Sequence, residues 1–87
     1  MFLDKEKVYI LIDKKTKEEL GVVDYIESTK GLYQPRNFSV EIDNLDDIVM
    51  ISVYHKDKLI QFINIDGVLS NIDGDKYDIN DLEIKPF

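Results

Sequence analysis

The segments Ile48–His55 and Leu59–Asp66 constrain the fold of this chain more than any other feature. Each is an apolar run of strand length. A tight turn at Lys56-Asp57 pairs His55 with Lys58, Tyr54 with Leu59, Val53 with Ile60, Ser52 with Gln61 and Ile51 with Phe62. In that register Ser52 and Gln61, the only polar pair on the face opposite Ile51 and Val53, fall opposite each other. A slip of one residue would turn every side chain to the wrong face. The predicted inward face carries Val49, Ile51, Val53, Ile60 and Phe62.

The rest of the chain reads in the same way. Val8–Ile12 is the longest uninterrupted apolar run, five residues, and predicts a central strand apolar on both faces. Asp13-Lys14-Lys15-Thr16-Lys17-Glu18 resembles a four-residue hairpin loop around a type I turn, with Lys17 where glycine would be easier. A rival reading is a short helix from Thr16, because Glu19 stands at capping-box spacing. The hairpin is preferred, and it sets Asp13 opposite Glu18, Leu11 opposite Leu20, Tyr9 opposite Val22 and Val8 opposite Val23. Leu20–Glu27 is the return strand and Ser28–Arg36 a loop punctuated by Gly31 and Pro35. Phe38-Ser39-Val40-Glu41-Ile42-Asp43 alternates, which predicts a strand with Phe38, Val40 and Ile42 inward. Asn44-Leu45-Asp46-Asp47 is a turn.

Asn64-Ile65-Asp66-Gly67 recurs seven residues later as Asn71-Ile72-Asp73-Gly74. Asp-Gly signals a tight turn, so short strands are expected near Val68–Ile72 and Asp75–Ile79. Leu82–Lys85 reads as an edge strand ended by Pro86. No 3.6-residue periodicity is sustained. The chain contains no alanine, the best helix former, and isoleucine is its commonest apolar residue. The expected fold is a single all-β domain over residues 1–87. Its architecture is a small antiparallel barrel or sandwich of about six to seven short strands joined by hairpins.

Charge divides the chain. Residues 1–36 hold seven acids and seven bases, whereas residues 37–87 hold eleven acids and four bases, which carry the whole net charge of -7. Such a surface repels phosphate, so direct nucleic-acid binding is not expected. Binding to a basic partner, a cation site and plain solubility are the three readings of the acidity. With no cysteine, disulfides and thiolate metal sites are excluded. The Met1–Lys7 segment lacks a secretory pattern and no apolar run is long enough for a membrane span, so a cytoplasmic location is expected.

No catalytic constellation emerges. His55, the only histidine, sits on a hairpin shoulder, and none of the six serines and threonines lies in a nucleophile motif. Asn71–Asp78 looks like half of a calcium loop, but Lys76 occupies the glycine position and Leu82 the position of the bidentate glutamate. Two ordinary Asp-Gly turns account for it. No cofactor, metal or small-molecule substrate is predicted. The candidate partner-binding residues are the acids Asp43, Asp46, Asp47, Asp73, Asp75 and Asp78, if the fold gathers them on one face.

Residues 8 to 42 resemble the N-terminal segment of phage and prophage tail or baseplate hub-type proteins. The matching residues are Val8-Tyr9-Ile10, Gly21-Val22-Val23-Asp24, Tyr33, Pro35, Phe38 and Val40. Arg36-Asn37 replaces the Gly-Asp step of that pattern, and its tryptophan is missing. The resemblance implies a non-enzymatic structural or assembly module that associates with protein partners or with itself. The alternative is a small acidic inhibitor, such as a phage anti-defence protein, bound to a basic protein surface.

Overall fold

A computed structural model describes residues 1–87 and folds them into ten strands. They are β1 (Phe2–Leu3), β2 (Tyr9–Asp13), β3 (Glu19–Ser28), β4 (Gly31–Tyr33), β5 (Val40–Glu41), β6 (Ile48–His55), β7 (Lys58–Ile65), β8 (Val68–Ser70), β9 (Lys76–Asp78) and β10 (Leu82–Pro86). Short 3₁₀ turns at Leu45–Asp47 and Ile79–Asp81 lead into β6 and β10. The main sheet runs β10-β2-β3-β6-β7-β8-β9, every pair antiparallel, and curls into a half-barrel. β4 shares with β2 one edge of the long β3, and β1 pairs with β5 in a separate two-stranded ribbon. The fold is all-β, as expected. Two short strands, β1 and β4, lie outside that expectation, and β5 keeps only two residues of the strand expected over Phe38–Asp43.

The β6–β7 hairpin has the predicted register at every pair from His55↔Lys58 to Ile51↔Phe62. Lys56 and Asp57 both take positive φ, 50° and 65°. Such a two-residue turn carries the right-handed twist of the flanking strands. The Asp13–Glu18 loop also forms as read. Asp13 N–H donates to Glu18 O at 2.9 Å, Lys17 N–H donates to Asp13 O at 2.8 Å, and Lys17 sits at φ 66°.

Beyond that loop the predicted register fails. Ile12 faces Glu19, but Leu11 faces Gly21 and Ile10 faces Val22, so Leu20 is an extra, bulged residue. Gly21 lies beside the shift. A Cβ on Gly21, whose φ is +148°, would lie 2.6 Å from the Tyr54 carbonyl oxygen. Only glycine permits β3 to approach β6 that closely. Two more bulges follow on the other side of β3, leaving Asp24 and Val49 without partners. Bulges bend and twist a strand, and three along the two edges of β3 curl the sheet around its own inner face.

The same bulges correct the predicted core face. Val49 is 38% exposed, while Ile48 takes the inward place; Ile60 is half-buried against the core. Ile51, Val53 and Phe62 are buried as predicted. Phe38 is also turned out, at 50% exposure. Gln34 and Phe38 exchange backbone hydrogen bonds across a tight loop, so the alternating strand begins only at Val40. Val40 and Ile42 do point inward.

The two Asn-Ile-Asp-Gly copies fold differently. Asp66-Gly67 is a two-residue turn, with Ile65 paired to Val68. The second copy opens a five-residue loop, because Ser70 pairs with Lys76 and the Asn71 side chain holds residues 71–75 together. Tyr9 and Tyr33 meet edge to face at 5.3 Å and close one end of the core. The Tyr33 hydroxyl donates to Lys7 O at 2.6 Å, and the Tyr9 hydroxyl accepts from Asp4 N–H at 2.8 Å. No helix is long and apolar enough to cross a membrane.

This packing makes stability testable at two places. Phe62→Ala and Ile51→Ala should each cost about 2–5 kcal/mol, the range for truncation inside a packed core. A wild-type melting temperature in either variant would show that this face is not the core. Burial, reinforced by neighbouring Tyr9 and Asp4, pushes the Tyr33 hydroxyl from 10.0 up to about 12. The folded state therefore favours the protonated phenol. That contribution is complete below about pH 10 and is lost as the pH rises through 12. Melting curves should fall more steeply over this interval for wild type than for Tyr33→Phe; parallel curves would overturn the assignment.

Candidate functional site

The six acidic residues singled out in the sequence do not form one cluster. Asp47 ends the 3₁₀ turn before β6, and Asp43 immediately precedes its cap. Asn44 caps that turn and the Asp47 carboxylate reaches back, accepting from Asp43 N–H at 3.1 Å and Asn44 N–H at 3.4 Å. This reciprocal capping orients Asp47 toward its own backbone. Asp43 stands 3.8 Å from the Lys30 ammonium. Asp73 and Asp75 lie in the 71–75 loop, whose amides are held by Asn71 Oδ1, and Asn71 Nδ2 donates to Asp75 Oδ2 at 3.1 Å.

Asp46 and Asp78 do come together. They line an open groove of about 590 Å³ between the 3₁₀ turn and the β7–β8 turn. Asp66 is the third carboxylate there, one that the sequence does not single out. Asn64 positions the β7–β8 turn by donating to Ile48 O at 2.7 Å and accepting from Gly67 N–H at 2.9 Å. The groove lining contains three aspartates and no lysine or arginine. Nowhere in the molecule do three acidic or imidazole side chains converge as a set of metal ligands. In the calcium-like loop, the side-chain oxygens of Asn71 and Asp75 accept from the loop's own donors.

His55 lines a smaller cleft of about 160 Å³ at the mouth of the half-barrel, with Glu18, Glu19, Asp75 and Tyr77 around it. No serine or threonine lines that cleft. Ser52 is buried on the opposite side of its strand from Ile51 and Val53. Tyr77 packs edge to face on Phe62 at 5.8 Å. Burial first, then the carboxylates of Glu18, Asp75 and Asp13, hold its hydroxyl above the ordinary value.

The most distinctive surface is apolar. β7 alternates about a half-buried plane, so Ile60 and Phe62 face the core while Leu59, Gln61, Ile63 and Ile65 face out. Leu59 is 50% exposed, Ile63 46% and Ile65 62%, and Ile72 on the following loop is fully exposed. All four line one groove of about 810 Å³, and Tyr54, 48% exposed, is paired directly beside Leu59. Scattered single hydrophobics on a surface are ordinary, but a contiguous row rimmed by polar residues marks an interaction site. Its signal is legible in the sequence: residues 59–65 are apolar at both odd and even positions. A sheet packed on one face only must leave one of those sets in solvent.

The acidic residues make separable predictions for stability. Asp47→Ala should cost about 1 kcal/mol by removing a reciprocal cap. Asp46→Ala should stay within about 0.5 kcal/mol, the range for exposed residues without partners. Equal losses in chemical denaturation would contradict this division of roles.

Comparison with known proteins gives no match to this chain among family models, curated proteins or solved structures.

Proposed function

We propose that this chain is a non-enzymatic protein-binding module of a structural or assembly kind, and that it docks through the outer face of the β6–β7 hairpin. The observation that carries this reading is the row of Leu59, Ile63, Ile65 and Ile72 beside Tyr54, exposed along one groove. Covering that row removes apolar surface from water at about 25 cal/mol per Å². Aromatic and branched anchors of this kind form the centres of protein interfaces. The clefts, by contrast, present no nucleophile–base–orienter set of the sort that hydrolytic or transfer chemistry requires. A phage-type tail or baseplate, with a cytoplasmic or virion location, is the setting implied by the resemblance of residues 8 to 42.

A photo-crosslinking amino acid tests the docking face directly. Placed at Ile63 in cells of the natural host, it should give discrete protein adducts; placed at Glu83, on the far outer edge of the sheet, it should give none. Adducts at neither site, or equally at both, would refute the assignment.

A second reading rests on the groove formed by Asp46, Asp66 and Asp78, which suits a basic protein surface. In this reading the chain is an acidic inhibitor. Replacing these three with asparagine should then abolish capture of a basic partner at low salt; unchanged capture would remove the inhibitor reading.

A further inference from the structure

We propose that the groove beside β7 receives an extended segment of a partner protein, which adds to the sheet as an antiparallel strand along residues 58–62 and carries apolar side chains alternating with lysine or arginine. This deepens the docking reading above and rests on it, since the segment occupies the same groove.

β7 is eight residues long, but β8 pairs only with Ile63, Asn64 and Ile65. β8 ends at Ser70, and the chain then leaves in the 71–75 loop. The flank of residues 58–62 away from β6 therefore has no strand beside it, over about 17 Å at the usual rise per residue. The hairpin determines which groups face that flank. His55 and Lys58 enclose a two-residue turn, so they form a hydrogen-bonded pair, and antiparallel pairs alternate from there. Lys58, Ile60 and Phe62 direct their N–H and C=O to β6, whereas Leu59 and Gln61 direct theirs to the open flank. No turn or loop bond reaches either residue, and both are exposed. Their donors and acceptors are a template for strand addition.

The clefts follow this flank. The groove of about 810 Å³ is lined by Lys58, Leu59, Ile60 and Gln61 in unbroken succession, with residues 70–73 on its other side. A groove on one face of a strand touches alternate residues. Contact with four in a row places this one along the strand's edge. Ile60 and Asn71 also line the smaller cleft that holds His55, so the two clefts meet at the open flank.

A strand seated there turns alternate side chains to two different surfaces. Those opposite Leu59 and Gln61 point outward, beside Leu59, Ile63 and Ile72, and are apolar. The one opposite Ile60 points inward, to the cleft of Glu18, Glu19 and Asp75, whose lining includes no lysine or arginine. Phe62 and Tyr77 add aromatic faces to that cleft, and carboxylates beside aromatic rings favour a cationic side chain. β8 already runs antiparallel on this flank, and antiparallel pairing is the more stable per residue.

The test uses the full chain, labelled with nitrogen-15, and a capped synthetic heptapeptide of alternating valine and lysine. In the free chain the Leu59 and Gln61 amides should exchange with solvent about tenfold or more faster than those of Ile60 and Phe62, and the peptide should slow them by a similar factor. Two N-methylated peptides are decisive. In the antiparallel register the valines exchange hydrogen bonds with Leu59 and Gln61, and the lysine N–H groups point away. Methylation of the valine nitrogens should abolish binding, and methylation of the lysine nitrogens should preserve it. Glu18→Gln combined with Glu19→Gln, both at exposed positions, should weaken binding by about threefold or more. A peptide with glutamate in place of lysine should not bind. Absence of binding by the valine–lysine peptide, binding without slowed exchange at Leu59 and Gln61, or equal tolerance of the two methylated peptides overturns strand addition. Equal binding of the glutamate peptide overturns the choice of a basic segment. Crosslinks from position 63 to a host protein would then leave the docking reading standing, whereas their absence would end both.

Discussion

The close contact between β3 and β6 at Gly21 is the constraint on which the rest of the molecule depends. With no side chain between them, the Gly21 backbone and the Tyr54 carbonyl meet at a distance that a Cβ would forbid. Beside this contact the β2–β3 register shifts, and Leu20 is left without a partner on β2. Together with the bulges at Asp24 and Val49 it curls a meander of short strands into a half-barrel. A flat sheet of this sequence would expose Ile48, Leu69, Ile79 and Leu82, which the curl buries.

That curl also determines what lies outside. A half-barrel has one interior, and the ten-residue β3 fills its side of it with Val23 and Ile26. β7 is apolar on both sides but can present only Phe62 and Ile60 to this interior. The remaining isoleucines and Leu59 consequently form an outward row. The apolar groove and the core thus have one geometric origin: the strand carries apolar residues for two faces, and the fold packs one.

The β6–β7 hairpin was readable because a single polar pair fixes its register, and each residue between Ile51 and His55 finds the predicted partner. The β2–β3 loop was readable for a local reason, the hydrogen bonds of Asp13. The bulges were not legible, since a bulged residue such as Leu20 or Val49 looks like any other apolar residue in an alternating string. Its displacement comes from contacts with a third strand. β4 was hidden inside a loop because three residues with one glycine carry no period. As for the surface, Asp46 and Asp78 were singled out by charge alone. Their company with Asp66 follows from the packing of the 3₁₀ turn against the β7–β8 turn, which charge cannot reveal. Asp47 was equally acidic and serves as a cap.

The sheet ends on strands that discourage backbone pairing by strangers. β9 offers only three residues, Lys76 and Asp78 flanking Tyr77, and β10 runs out in Pro86, which has no N–H to donate. Isoleucine-rich strands of this kind are prone to edge-to-edge growth into fibres when an edge is long and flat. Here both edges are short or blunted. The blunted edges leave little free backbone for another chain to extend.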